Sequence, residues 1–127
     1  MSKPSDFSIP FTRLKNSVLG RGFELSLVFV DPTFSRRLNK TYRGKNKSAN
    51  VLSFKLSKKS GEIFIDLVTA KKEMGKYGMD FQTFVKFLFI HALLHLKGME
   101  HGDTMEKKEL QLLYGTANRS RYRYRDI

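Results

Sequence analysis

All three histidines of the chain fall within one short stretch, His91-Ala-Leu-Leu-His-Leu-Lys-Gly-Met-Glu-His101. His91 and His95 are four residues apart, so on a helix their rings leave the same face one turn apart and can share one ion. Gly98 permits a sharp turn after that helix, and His101 can then fold back as a third ligand. Neutral imidazole is the commonest zinc ligand. Three protein nitrogens and one position left to water make the pattern of a catalytic zinc. A structural zinc usually takes four protein ligands, and a chain without cysteine offers no obvious fourth. One zinc ion per chain is therefore expected at His91, His95 and His101.

The spacing H-x-x-x-H-x-x-G-x-x-H also occurs in metzincin proteases, which place a glutamate directly after the first histidine to activate water. Here that position is Ala92, whose methyl group cannot take a proton. Glu100 is near in sequence but lies beyond the turn. Peptide hydrolysis is thus disfavoured. A bound ion retains its Lewis acidity toward a phosphoryl oxygen and its effect on the acidity of water.

The charge distribution selects the partner. The formal net charge is +12, from 24 basic and 12 acidic residues. No acidic residue occurs from Pro32 through Gly61, a span holding Arg36, Arg37, Lys40, Arg43, Lys45, Lys47, Lys55, Lys58 and Lys59. Such a field attracts polyanions. Arg36, Arg37, Lys45, Lys47 and Lys58 are the candidate contacts to a phosphodiester backbone. A second basic run, Arg119 to Arg125 alternating with Tyr122 and Tyr124, closes the chain and is either a phosphate-binding arm or a plain solvated end. No stretch has the length of a membrane span or resembles a signal peptide, so a soluble, cytoplasmic protein is expected.

The elements that must position these residues are legible in outline. At 127 residues, one domain over 1–127 is expected, with hydrophobic residues at 40% to fill its core. Helical spacing runs from Phe11 to Leu19, stopped by Gly20. Phe23 to Val30 alternates as a strand. Asp31-Pro32 caps a helix carrying Phe34, Leu38 and Tyr42 four apart and ending near Gly44. The segments VLSFKL and GEIFIDL read as a hairpin around SKKSG. A short helix over Thr69 to Tyr77 precedes a long one over Phe81 to Lys97, capped by Asp80 and ended by Gly98. Asp103 to Glu106 has the shape of a capping box opening the last helix, which runs to Gly115. The expected class is α+β: one small mixed sheet packed with about five helices, the metal site at the end of the central helix. Ser53 and Asn50 serve either the site or a turn. Glu62 and Asp66 read as an exposed acidic pair, or as a source of one partner for a ligand histidine.

These motifs resemble those of the YbeY endoribonucleases. That family carries H-G-x-L-H-L-x-G-[YF]-D-H, and this chain reads H-A-L-L-H-L-K-G-M-E-H. Upstream, Leu38-Asn39-Lys40-Thr41-Tyr42-Arg43-Gly44-Lys45-Asn46 and Asn50-Val51-Leu52-Ser53-Phe54 resemble the family's L-N-x-x-Y-R-x-K-[DN] and [DN]-V-L-S-F. Gly61-Glu62-Ile63 matches its G-[DE]-I strand. Ala92, Met99, Glu100, Ala49 and Lys55 depart from the pattern, and none removes a ligand. The resemblance implies a zinc-dependent endoribonuclease for single-stranded RNA. It implies a role in maturing the 3′ end of small-subunit ribosomal RNA and in ribosome quality control, in a monomer or weak homodimer. It carries the zinc onto His91, His95 and His101 and a catalytic arginine onto Arg43. A phosphate-gripping guanidinium at the end of a helix in the acid-free stretch suits that role. The competing expectation is an RNA- or ribosome-binding assembly factor whose zinc is structural.

Overall fold

The computed structural model describes residues 2–115. The order along the chain is α1 (Phe11–Leu19), β1 (Glu24–Val30), α2 (Pro32–Arg43), β2 (Val51–Ser57), β3 (Ser60–Asp66), α3 (Leu67–Glu73), α4 (Phe81–Lys97) and α5 (Asp103–Tyr114), with 3-10 turns at Pro4–Asp6 and Met74–Tyr77. The strands form one sheet in the order β1-β3-β2, with β1 parallel and β2 antiparallel to the central β3. This is the mixed α+β arrangement expected. The basic run from Arg119 to Arg125 lies outside the described residues. No helix among the described residues is long and apolar enough to cross a membrane.

Helix α4 is the centre of the fold. Phe84, Val85, Phe87, Leu88, Phe89, Ile90, Ala92, Leu93, Leu94 and Leu96 are all buried on it, which leaves little of its circumference for solvent. A helix apolar nearly all round must be surrounded. One side meets the sheet through Leu25, Leu27, Phe29, Ile63 and Ile65, and α1 closes another, with Phe11 edge-on to Phe89 at 4.8 Å. Each fully buried side chain of this size contributes about 1.5–3 kcal/mol. The contact between α4 and β3 depends on Gly61. A Cβ there would lie 3.1 Å from the Phe54 carbonyl oxygen and 3.2 Å from Leu96.

The other face of the sheet is covered by α2, and here expectation and structure differ. Phe34 and Tyr42 were the spacing's candidates for an inward stripe, yet they are 39% and 66% exposed. They lie along the margin of an aromatic row, Phe34–Phe64–Phe54–Tyr42. The fully buried side chains of α2 are polar, Ser35 and Asn39. The reason is the loop over residues 44–50. The Ser35 hydroxyl donates to the Ala49 carbonyl at 2.7 Å and accepts from the Ala49 N–H at 2.8 Å. The Asn39 amide donates to the Lys47 carbonyl at 2.9 Å. A loop with no ladder of its own must find partners for its backbone, and α2 supplies them.

Three further expectations are corrected. Asp66 is not exposed: at 1% exposure it accepts from the backbone N–H and hydroxyl of Thr69 and caps α3. The capping box at Asp103 is absent, because Gly102 occupies the N-cap without a side-chain bond; Asp103 and Glu106 lie instead in the first turn, where they suit the helix dipole. The helix expected over Thr69 to Tyr77 is α3 followed by a 3-10 turn.

Asn39→Ala should cost about 0.5–1.5 kcal/mol, because it removes the bond from the buried Asn39 amide to the Lys47 carbonyl. Urea unfolding measures this, and an unchanged midpoint would show that the loop holds without the tie.

Candidate metal centre and its cleft

His91 and His95 stand one turn apart on the last turns of α4, as their spacing requires. Gly98 ends the helix at φ 100°, with its N–H on the His95 carbonyl at 2.9 Å and the Met99 N–H on the Leu94 carbonyl at 3.0 Å. Only glycine takes that conformation without strain. The turn brings His101 back, and the three rings form a nearly equilateral triangle with centroids 4.6, 5.0 and 4.8 Å apart.

One nitrogen from each ring lies within 4.8 Å of the others, and the Nε2 atoms of His91 and His95 are 3.1 Å apart. The corresponding edge of a tetrahedral zinc with ordinary Zn–N bonds is about 3.3 Å. Nitrogens so close repel if both present lone pairs, unless a proton or a cation lies between them. The donor set therefore fits a metal ion.

The tautomer of His91 is set from behind. Its Nδ1 meets Oε2 of Glu109 at 2.5 Å, and Glu109 is 2% exposed on α5. A carboxylate only accepts, so Nδ1 donates and Nε2 keeps its lone pair for the centre. Sequence reasoning looked for this partner at Glu62 or Asp66 and missed Glu109. A signal existed: Met105, Glu109 and Leu113 form the buried i, i+4, i+8 stripe of α5, and a lone carboxylate on such a stripe needs a partner. Burial, together with the neighbouring His91, His101 and Arg43, lowers the pKa of His95, while Glu109 pulls the other way. His95 is thereby kept in the neutral form that a ligand needs.

The triangle opens into a cleft of about 460 Å³. Arg43, Lys45, Lys47, Ser48, Asn50 and Ser53 line it from α2, the loop and β2, with Glu73 from α3 and Tyr77 from the following 3-10 turn. Ala92, at the position where a protease keeps its glutamate, also lines the cleft. Asn50 sits in the bend before β2, and its side-chain amide donates to Oε1 of Glu73 at 2.7 Å. Glu73 is the second residue that sequence reasoning missed, since nothing local to α3 marks it.

The basic residues divide. Arg43, Lys45 and Lys47 share the cleft with the histidines. Arg36, Arg37 and Lys40 line a neighbouring groove that includes Lys47 and Ser48, so the two surfaces are continuous. Lys58 lies in the β2–β3 turn, at the far end of β2 from Val51, roughly 20 Å along the strand. Among the described residues the one ion pair is His91–Glu109, so no carboxylate there is paired with the cations around the cleft.

Fold and site together define an α+β domain in which three histidines positioned to bind a metal ion open into a basic cleft. The chain belongs to the YbeY family: a family model described as Endoribonuclease YbeY matches residues 8–116. Several relatives carry the name Endoribonuclease YbeY. The one from Pelotomaculum thermopropionicum is 34% identical over 75% of this chain and 70% of its own length. That from Geobacillus kaustophilus is 34% identical over 68% and 65%, and that from Desulforamulus reducens 38% identical over 61% and 59%. The aligned region thus leaves about a third or more of the latter two unmatched. The solution structure of TM1509 from Thermotoga maritima is similar in fold, with a TM-score of 0.64 at 19% identity, over 95% of this chain and 88% of that one.

Glu109→Gln should weaken metal binding by about 10–100-fold, as loss of an orienting carboxylate does. Chelator competition reads this, and unchanged affinity would remove Glu109 from the site. The pH dependence has a definite sign. The folded-state pKa of His95 lies below its ordinary 6.5, so the metal-free fold keeps this contribution above 6.5 and loses it as pH falls through the folded value. Urea midpoints of metal-free protein should therefore drop on acidification below 6.5, and less in His95→Gln.

Proposed function

We propose that the protein is a zinc-dependent endoribonuclease acting on single-stranded RNA, in maturation of the small-subunit ribosomal RNA and in ribosome quality control. The observation that carries this reading is the shared cleft: the histidine triangle and the cations Arg43, Lys45 and Lys47 face one space. A site for phosphodiester cleavage needs a metal beside a phosphate grip, and this cleft combines both kinds of group. The relatives' name supplies the substrate, and the family resemblance supplies its ribosomal setting. An all-imidazole ligand set suits zinc, and three protein ligands leave the open position that a catalytic ion requires. That open side turns toward the cleft, which favours catalysis over a purely structural ion. A single domain working as a monomer or weak homodimer in the cytoplasm completes the reading.

Zinc bound there supplies Lewis acidity and makes a coordinated water more acidic. The rest falls to the chain. Glu109 holds the His91 ring in place. Lys45 and Lys47 attract the phosphate backbone. Arg43, exposed at the C-terminal end of α2 and close enough to lower the pKa of His95, presents a planar fork to the scissile phosphate. Negative charge on the phosphoryl oxygens grows during attack, so this contact strengthens toward the transition state.

Arg43→Lys keeps the charge and loses the fork. It should lower the single-turnover rate on a short single-stranded RNA by about ten-fold or more, with zinc content and RNA affinity unchanged. A wild-type rate at saturation would make Arg43 a surface residue. Lys45→Ala with Lys47→Ala should flatten the slope of log affinity against log salt, because fewer counterions are released. Lys58→Ala tests whether the RNA reaches the far end of the sheet. A smaller slope in that variant places Lys58 on the track, and equal slopes in all proteins would move RNA away from this cleft.

A further inference from the structure

The cleft holds a carboxylate that the reading above leaves without a task. Glu73 is the single acidic residue among those lining it. The other polar groups there are cations, amides, hydroxyls and the three histidines, whose lone pairs are committed to the centre. Glu109 lies behind His91 and is not part of the lining, and Glu100 is exposed beyond the turn and is not part of it either. A carboxylate in a cleft built for a polyanion opposes binding, so its presence asks for a compensating use. It is also held in place. Oε1 accepts from the Asn50 amide at 2.7 Å, and the Asn50 carbonyl in turn accepts from the Asp66 N–H at 3.0 Å, which ties Asn50 to the end of β3. Oε2 is left for a second partner.

We propose that Glu73 is the general base of the reaction, replacing from α3 the glutamate that Ala92 excludes from α4. This inference rests on the nuclease reading. The oxygen of the attacking water bonds to phosphorus while its proton passes to a Glu73 carboxylate oxygen. The bond between phosphorus and the leaving ribose oxygen breaks. That oxygen takes the proton from the Glu73 carboxylic acid, which returns to the carboxylate. One water is consumed, one phosphodiester becomes a monoester and a hydroxyl, and no other reactant is needed. Asn50 is a positioning residue, because it fixes one carboxylate oxygen and leaves the other to the water.

The test uses the zinc-loaded full chain and a short labelled single-stranded RNA at saturating enzyme. Glu73→Gln keeps an oxygen that can accept from Asn50 but cannot take a proton. Its single-turnover rate should fall by about 100-fold or more, the scale of a lost general base. Zinc affinity by chelator competition should not change, and RNA affinity by a binding curve should hold or rise, because a repelling charge is removed. Glu73→Ala opens space for a small carboxylate, so added formate should accelerate that variant and leave the wild type unaffected. A wild-type rate in Glu73→Gln overturns the proposal, as does absence of formate rescue. Loss of zinc or of RNA affinity in Glu73→Gln also overturns it, making Glu73 a ligand or a structural tie. If the wild type cuts no RNA, the nuclease reading itself fails, an outcome distinct from all of these.

Discussion

The arrangement on which everything else depends is unfavourable by itself: three imidazoles with nitrogen lone pairs aimed at one point. Two of those nitrogens stand 3.1 Å apart. The fold must hold them there before an ion arrives, and each part of the surroundings contributes. The apolar girth of α4 buries the helix on nearly all sides, so His91 and His95 cannot swing away together. Glu109 reaches across from α5 and fixes one ring by its far nitrogen. Gly98 sets the angle at which His101 returns. Burial of His95 lowers its pKa and keeps it a ligand instead of a cation.

The cleft beside the triangle follows from a second constraint, the need to hold an irregular, basic loop in one shape. Lysines in sequence repel one another and favour an open chain. Ser35 and Asn39 counter this by taking the loop's backbone groups into the interior of the α2 contact. The same choice pushes Phe34 and Tyr42 to the margin of the sheet, where they extend the aromatic row. Two of the three clustered histidines thus come from the most buried helix, and the lysines of the cleft from a loop pinned by polar side chains. The central strand and the Asn50–Glu73 contact join the two halves.

Much of this was legible in the sequence wherever the signal was local. The i, i+4 histidines with Gly98, the Asp31 and Asp80 caps, and the alternation of β1 are short-range patterns, and each appears as read. What was not legible lies in contacts between distant segments. The partner of His91 is eighteen residues away on another helix, and Glu73 meets Asn50 across twenty-three residues. Periodicity also misjudged α2, since apolar spacing cannot reveal that a neighbouring loop will claim the buried face for hydrogen bonds. Asp66 is a different case: its cap bond to Thr69 is only three residues long, a local N-cap pattern hidden because GEIFIDL reads as a strand running through it.

The central claim is that RNA is cut at the ion held by His91, His95 and His101. Its most direct test is cleavage of one labelled single-stranded RNA by protein as purified, protein stripped by a chelator, and stripped protein given one equivalent of zinc, with a matched duplex as control. The account predicts cutting of the single strand that is lost on stripping and recovered on zinc addition, with the duplex left whole. Cleavage that persists undiminished in fully stripped protein would contradict it.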